Sequence, residues 1–438
     1  MRGNSLKPVK VGICGLGTVG SGTFHVLQRN ASIIGARAGC SVIIDQIGAR
    51  RDNPACDTGN IPVTRDIFDV ANNPDIDILV EAIGGYDTPK ALILTAIENG
   101  KHVVTANKAL IAEHGNEIFE AARAKNVIVA YEAAVAGGIP MIKCLREGLS
   151  ANKVEWLAGI INGTGNYILT EMDDHNRPFE DVLKEAQALG YAEADPTFDV
   201  EGIDACHKLI IMASIAFGIP LQFDKAYTEG ISKVTPSDIR YAASLGFRIK
   251  HLGIARQTLK GIELRVHPTL IPSSRPLANI NGVMNSVVVQ GDAIGQTMIS
   301  GPGAGSEPTA SSVIADIIDI ARTVDTPDTA VNALGFSLDS LNNSLPVLPI
   351  TDTYCSAYLR IHVDDHPGVM NAVTQVLSSH GINIDAITQK VTREDDGCAD
   401  IVILTHNTLE DIMNKAISEL ESLETIKSPI TRIRVETL

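Results

Sequence analysis

A β-branched run at residues 9–14 (VKVGIC) ends on Gly15-Leu16-Gly17-Thr18-Val19-Gly20, and a helical stretch follows at once. This junction constrains the fold more than any other stretch. Gly15 permits a tight turn, Gly17 lets a ligand approach the backbone, and Gly20 lets strand and helix pack closely. The pattern carries that meaning only between a strand and a helix, and the chain supplies the context. Residues 41–47 (SVIIDQI), 76–83 (IDILVEAI), 101–106 (KHVVTA) and 126–133 (NVIVAYEA) are further apolar runs separated by helical stretches. Strands that are apolar on both faces belong to a sheet covered by helices on both sides. The expectation is a Rossmann-type, doubly wound parallel α/β domain, with a dinucleotide phosphate on the amides of residues 15–20.

The pattern changes after residue 133. Strand-like runs at 154–162 and within 262–290 mix with the helical stretches PFEDVLKEAQALG and IDACHKLIIMASIAFG, which reads as a mixed α+β catalytic and dimerisation domain over 134–304. GPGAGSEPTA (301–310) opens an amphipathic helix to about Arg322, so that residues 305–340 complete the first domain, residues 1–133. Residues 341–352, with several breakers, read as a linker. From 353 to 438 the runs alternate β-α-β-β-α-β, a ferredoxin-like module.

Composition excludes several classes. With 52 acidic against 36 basic side chains the net charge is −16, which disfavours nucleic acid and anionic membrane surfaces. Seven cysteines are scattered without C-x-x-C spacing, so neither a zinc knuckle nor a disulfide framework is expected. The N-terminus shows no apolar leader and no run suits a membrane span, so a cytoplasmic protein is expected.

The acid that grips a ribose 2′-hydroxyl should close the second strand, where the chain reads Ile47-Gly48-Ala49-Arg50-Arg51-Asp52. Guanidinium forks at Arg50 and Arg51 suit a 2′-phosphate, which favours NADP(H) over NAD(H). Asp45 or Asp52 could still serve a ribose, and solvated surface arginines are the plainer alternative. Ile83-Gly84-Gly85 and Thr105-Ala106-Asn107-Lys108 end the third and fourth strands, at the sheet edge where ligands bind. Lys108 is therefore expected near a nicotinamide.

The sharpest segment runs from Ala186 through Gly190, Glu193, Asp195-Pro196, Asp199, Glu201 and Gly202 to Asp204 and Lys208. Its carboxylates precede LIIMASIAFGI, a helix apolar on nearly every face and hence buried. Asp204 and Lys208 are one turn apart and share a face. A lysine leaving water needs a partner and becomes a tunable acid.

At every specified position this segment resembles the homoserine dehydrogenase signature. The resemblance extends to Thr105–Lys108, to Glu132 through Pro140, to Ile161-Asn162-Gly163-Thr164-Gly165-Asn166 and to Gly301-Pro302-Gly303-Ala304-Gly305. The tail resembles an ACT domain, on Asp365-His366-Pro367-Gly368 and Gly381-Ile382-Asn383, and the chain is expected to be a monofunctional form.

The resemblance implies reversible NAD(P)H-dependent reduction of L-aspartate 4-semialdehyde to L-homoserine. Lys208 would supply the proton, Asp204 would orient it, and Lys108 would border nicotinamide and substrate. Glu193 would bind the substrate ammonium, with Asp199, Gly163 and Thr164 beside the substrate. Gly84, Gly303 and Gly305 would join residues 15–20 at the cofactor. A monovalent cation, Na+ or K+, would sit near Glu132 and the carbonyls of Val135, Gly137 and Ile139. Threonine would act as inhibitor through Asp365, His366, Gly368 and Asn383 of the ACT domain, in a homodimer or homotetramer. Two other readings compete: a non-catalytic sensor of NAD(P) and amino acids, and a dehydrogenase of another amino-acid aldehyde. A sensor has no need of the set Lys108, Glu193, Asp204 and Lys208.

Overall fold

The computed structural model describes residues 7–324, 326–327, 330–391 and 397–438. The first six residues, on which the expectation of no leader partly rests, lie outside it. The chain condenses into two compact units: Met1–Leu157 with Asp204–Asp224 and Met284–Leu345, and Ala158–Ile203 with Lys225–Val283 and Pro346–Leu438.

The first unit is built on a six-stranded parallel sheet in the order Val63–Thr64, Val42–Gly48, Val9–Cys14, Ile78–Glu81, His102–Thr105, Val129–Ala130. The strand Val9–Cys14 has neighbours on both sides. The chain therefore reverses its direction of travel across the sheet at the Gly15 turn, the place where such folds open a crevice. Val11, Ile13, Ile47, Ile78 and Val104 bury with Phe24 and Leu27 of the helix Thr18–Arg29 and Val313 and Ile317 of the helix Ser306–Thr323. Each such side chain contributes roughly 1.5–3 kcal/mol on leaving water. The two helices cross where Gly22 has no side chain, since a Cβ there would stand 2.4 Å from Ser306 Oγ. That hydroxyl donates to the Thr18 carbonyl at 2.8 Å, and Arg29 forks onto Glu307 at 2.7 and 3.0 Å. The sheet is thus the doubly wound one expected. Its last strand is shorter than the apolar run 126–133, because Asn126 turns with φ 53° and Glu132–Ala134 form a 3-10 turn.

The second unit centres on a long hairpin, Phe247–Gln257 against Ile262–Pro272. Its second strand runs parallel to Thr431–Val435, and the sheet continues through Tyr354–Asp364, Cys398–Thr405 and Ile384–Val391. Those last four strands, with helices Val369–Ser379 and Glu410–Glu421, form the β-α-β-β-α-β module of the tail.

The tail packs closely on the long hairpin of its unit. Pro346 and Leu348 bridge to Ile262 on either side, at 2.8 Å each. One buried cluster unites Ile249 and Leu270 with Tyr358, Val402, Leu404 and Ile433. Buried charges also cross the junction: Arg265 meets Glu436 at 2.6 Å, Arg434 meets Glu229 at 2.6 Å, and Arg360 meets Asp238 at 2.6 Å. Arg265, Arg360 and Arg434 put charges on the strands that meet here, and hydropathy does not mark such positions.

Candidate active site

The glycine turn fits a pyrophosphate. Gly15 has φ 102° and a Cβ there would lie 2.5 Å from the Ala82 carbonyl, while a Cβ on Gly20 would overlap the Gly15 carbonyl at 1.9 Å. At Gly17 a Cβ would meet nothing within 4 Å. Gly17 caps the helix Thr18–Arg29 without a side-chain bond, and no acid occupies the first turn. Leu16, Thr18 and Val19 complete the loop, and Asn53 Nδ2 ties it to the end of the second strand through the Leu16 carbonyl at 2.8 Å.

At that strand end Arg50 and Arg51 are exposed. Both nearby acids carry a basic partner, although Asp52 stays exposed. Asp45 lies within the strand and pairs with Lys10 at 3.1 Å, and Asp52 pairs with Arg65 at 2.7 Å. Arg65, absent from the sequence expectations, also donates to the Ala49 carbonyl at 3.1 Å.

Across the sheet edge, the buried Glu81 receives Ile83 and Gly84 amides at 2.8 and 3.0 Å and the Thr105 hydroxyl at 2.5 Å. Thr105 Oγ1 accepts from the Asn107 amide at 3.0 Å. The Asn107 side chain then donates to the Gly85 carbonyl at 2.8 Å and caps the next helix through Leu110 N at 3.1 Å. That helix, Lys108–Ala124, begins on Lys108.

Lys108 Nζ lies 3.0 Å from Asp204 Oδ1, and Lys208 Nζ donates to Asp204 Oδ2 at 2.7 Å. The helix Ile203–Phe217 that carries both partners is buried from Asp204 through Ile215, so the carboxylate and Lys208 have left bulk water. One carboxylate holds two ammonium groups, and cations in a low-dielectric setting are what a developing alkoxide needs. Next to them His207 stacks on Phe223 at 4.4 Å and faces Glu113 at 3.4 Å, with burial lowering its affinity for a proton.

Glu132 is buried, and its two oxygens accept the Ile142 and Lys143 amides at 2.8 Å each. Burial and the neighbouring Asp316 push its carboxyl up to about 7, and burial raises Asp316 to about 6. In the loop that follows, Ala136 and Gly137 turn with φ 54° and 52°. The Gly137 carbonyl accepts the Ser312 hydroxyl at 2.6 Å, and the Ile139 carbonyl accepts Met141 N at 2.7 Å. Gly137 packs on Gly303, whose carbonyl would lie 2.5 Å from a Cβ there, and Gly305 caps the helix Ser306–Thr323. Among the described residues no three His, Cys, Asp or Glu gather as for a metal. Any cation at this loop would rest chiefly on carbonyls, a donor set that suits a monovalent ion.

In the second unit Asn162 caps the helix Gly163–His175 through Gly165 N at 2.7 Å and donates to Asp199 at 2.7 Å. Thr164 Oγ1 donates to the Tyr191 carbonyl at 2.6 Å, and Gln187 holds the Glu193 carbonyl at 3.1 Å, with the Glu193 side chain exposed. Asp199, Thr164 and Glu193 are thereby fixed on one framework. In the tail Gly368 has φ 99° at the start of the helix Val369–Ser379, His366 bonds the Pro367 carbonyl at 3.0 Å, and Asp365 accepts from Gln389 at 3.3 Å. Asn383 is exposed, and its carbonyl accepts His406 N at 2.9 Å.

Sequence reasoning passed over Glu81, Arg65 and Asp316. An acid ending an apolar strand run, as in IDILVEAI, is the signal that could have found the first. The other two have no local signal, since each acts through residues remote in sequence.

Comparison with known proteins places this arrangement. A family model described as homoserine dehydrogenase matches residues 140–318, one described as the homoserine dehydrogenase NAD binding domain matches 15–132, and an ACT domain model matches 357–425. The homoserine dehydrogenase of Pseudomonas aeruginosa is 64% identical, over 99% of this chain and 100% of its own. The crystal structure of a homoserine dehydrogenase from Thiobacillus denitrificans superposes with a TM-score of 0.94 at 54% identity, covering 98% of this chain and 99% of that one. A hyperthermophilic archaeal homoserine dehydrogenase in complex with NADPH gives 0.61 at 25% identity, over 72% of this chain and 97% of that one.

Proposed function

The chain belongs to the homoserine dehydrogenase family, and on that premise we propose the reaction and the residue roles that its geometry supports. It is an oxidoreductase with a nicotinamide-binding domain and a C-terminal ACT domain. The reaction is reversible reduction of L-aspartate 4-semialdehyde to L-homoserine. NADPH, when bound, supplies the hydride. Lys208 stands at the aldehyde oxygen, stabilises the charge that develops there, and gives up a proton from Nζ. Asp204 holds Lys208 in place and Lys108 adds a second cation. Glu193 takes the substrate ammonium, while Asp199, Gly163 and Thr164 order the substrate. The observation that carries this reading is the clamp of one buried carboxylate on two lysines.

NADPH is preferred to NADH in this reading, because Asp45 is engaged by Lys10 within its strand while Arg50 and Arg51 stand exposed at the end of that strand. Leu16, Thr18, Val19, Gly84, Gly303 and Gly305 line the cofactor with Gly15, Gly17 and Gly20. Carbonyls of Val135, Gly137 and Ile139, beside Glu132, would hold Na+ or K+ and stiffen their loop. Threonine is the proposed inhibitor, at Asp365, His366, Gly368 and Asn383. A homo-oligomer is proposed because, among the described residues, Ile384–Val391 stands at the edge of its sheet. Seven free thiols support a reducing, cytoplasmic setting.

The experiment is NADPH oxidation with L-aspartate 4-semialdehyde, with its one-carbon-longer homologue, and with and without threonine. Turnover confined to the first aldehyde and suppressed by threonine is expected. Preference for the longer aldehyde overturns the substrate assignment, and indifference to threonine overturns the effector.

A further inference from the structure

Glu81 has no part in the assignments above, yet it occupies the centre of the sheet edge on which they depend. In register it lies opposite Cys14 on one side and Thr105 on the other, so it stands in the row where three parallel strands end. Glu81 is only 1% exposed. Its Oε1 receives Ile83 and Gly84 amides at 2.8 and 3.0 Å, and its Oε2 receives the Thr105 hydroxyl at 2.5 Å. Burying a polar carboxyl group is costly without hydrogen bonds, and these three donors supply them. Burial and Glu81 together hold the neighbouring Cys14 thiol in its protonated form.

The two oxygens serve different structures. Oε1 fixes the turn Ile83-Gly84-Gly85, in which both glycines take positive φ, 72° and 85°. Oε2 orients Thr105, whose hydroxyl then accepts the Asn107 amide at 3.0 Å. Asn107 ties back to Gly85 at 2.8 Å and caps the helix that starts with Lys108, 3.0 Å from Asp204. The connections close a ring from Glu81 to the glycine turn, to Asn107, to Thr105 and back.

We propose that Glu81 is a positioning residue for hydride transfer, holding the Gly84 turn and the base of Lys108 in one frame. The proposal rests on the reading that places Gly84 and Lys108 beside the nicotinamide. Glu81 touches no reacting atom. A glutamine in its place has a single carbonyl oxygen and cannot accept on both sides.

Two variants separate the two arms. Glu81→Gln should weaken NADPH binding by about tenfold or more, as expected when a buried acceptor is lost and its donors are left unpaired. Adenosine 2′,5′-bisphosphate, which reaches only the far half of the cofactor site, should bind as to the wild type. Thr105→Val keeps the amides on Oε1 and releases Asn107, so it should lower kcat by about tenfold or more with NADPH affinity unchanged. Wild-type NADPH affinity in Glu81→Gln together with wild-type kcat in Thr105→Val overturns the proposal. Parallel loss of NADPH and bisphosphate binding in Glu81→Gln also overturns it, since the residue would then hold up the fold at large. The binding readouts need no turnover, so they stand or fall separately from the role assigned to Lys208.

Discussion

Asp204 Oδ2 accepts from Lys208 Nζ at 2.7 Å, one helical turn away. Its other oxygen faces Lys108 at 3.0 Å. Asparagine at this position keeps one acceptor and turns an amide towards the other ammonium, so orientation fails even where volume is preserved. We expect Asp204→Asn to lower kcat by about 10²-fold while NADPH affinity is retained. Stopped-flow hydride transfer beside cofactor titration measures both. A variant with wild-type kcat would remove Asp204 from the account.

Replacing Arg50 and Arg51 together by alanine should raise KM for NADPH by about tenfold or more and leave KM for NADH unchanged. Only the first cofactor carries a 2′-phosphate. An unchanged NADPH to NADH ratio would assign both arginines to the solvated surface and turn attention to Arg65, which holds Asp52 beside them.

Removal of the tail from Pro349 onward should not leave a soluble catalytic core. The cut strips Tyr358, Val402, Leu404 and Ile433 from the cluster that buries Ile249 and Leu270, and leaves the fully buried Arg265 without Glu436. Arg265 keeps Glu263 at 3.1 Å, so the larger loss is the apolar cluster, where each uncovered side chain costs about 1.5–3 kcal/mol, a large share of the stability of a domain. Arg434→Ala, which abandons Glu410 and Glu229, is the milder version and should lower the urea midpoint of the full chain. A truncated protein that is monodisperse and cooperative on unfolding would show that the junction contributes little.

Lys250 is buried among neutral oxygens, with Nζ 2.7 Å from the Ile280 carbonyl and 3.0 Å from Asn281, and burial pulls its ammonium down to about 8. The unfolded chain then binds more protons than the native one between about pH 8 and the ordinary value of 10.5. Stability from this group therefore rises with pH through that window and is lost as pH falls to 8. Relative to Lys250→Met, the wild type should gain about 1–3 kcal/mol between pH 7.5 and 10 in urea unfolding. A difference that does not change with pH contradicts the assignment.

The first unit was largely legible in the sequence because its strands are apolar on both faces and its glycines have single uses. Gly15, Gly20 and the helix beginning at Ser306 lie where their neighbours require them. The second unit was harder. The strand Phe247–Gln257 buries Lys250 and His251, so hydropathy shows no run there, while its partner was legible among the runs within 262–290 despite burying Glu263, Arg265 and His267. At the site, the pair Asp204 and Lys208 followed from helical spacing alone. The approach of Lys108 did not, for it depends on where a parallel strand ends a hundred residues earlier in the chain. Glu81 was hidden for a further reason: its partners are backbone amides, which no side-chain pattern records.

Lys208 is the proposed source of the proton for reduction of the semialdehyde. That role is tested most directly by single-turnover NADPH oxidation with L-aspartate 4-semialdehyde in Lys208→Ala, alongside NADPH affinity from cofactor fluorescence. A rate about 10²- to 10⁴-fold below wild type, with the cofactor bound as tightly as before, is expected. A variant that transfers hydride at the wild-type rate would contradict it.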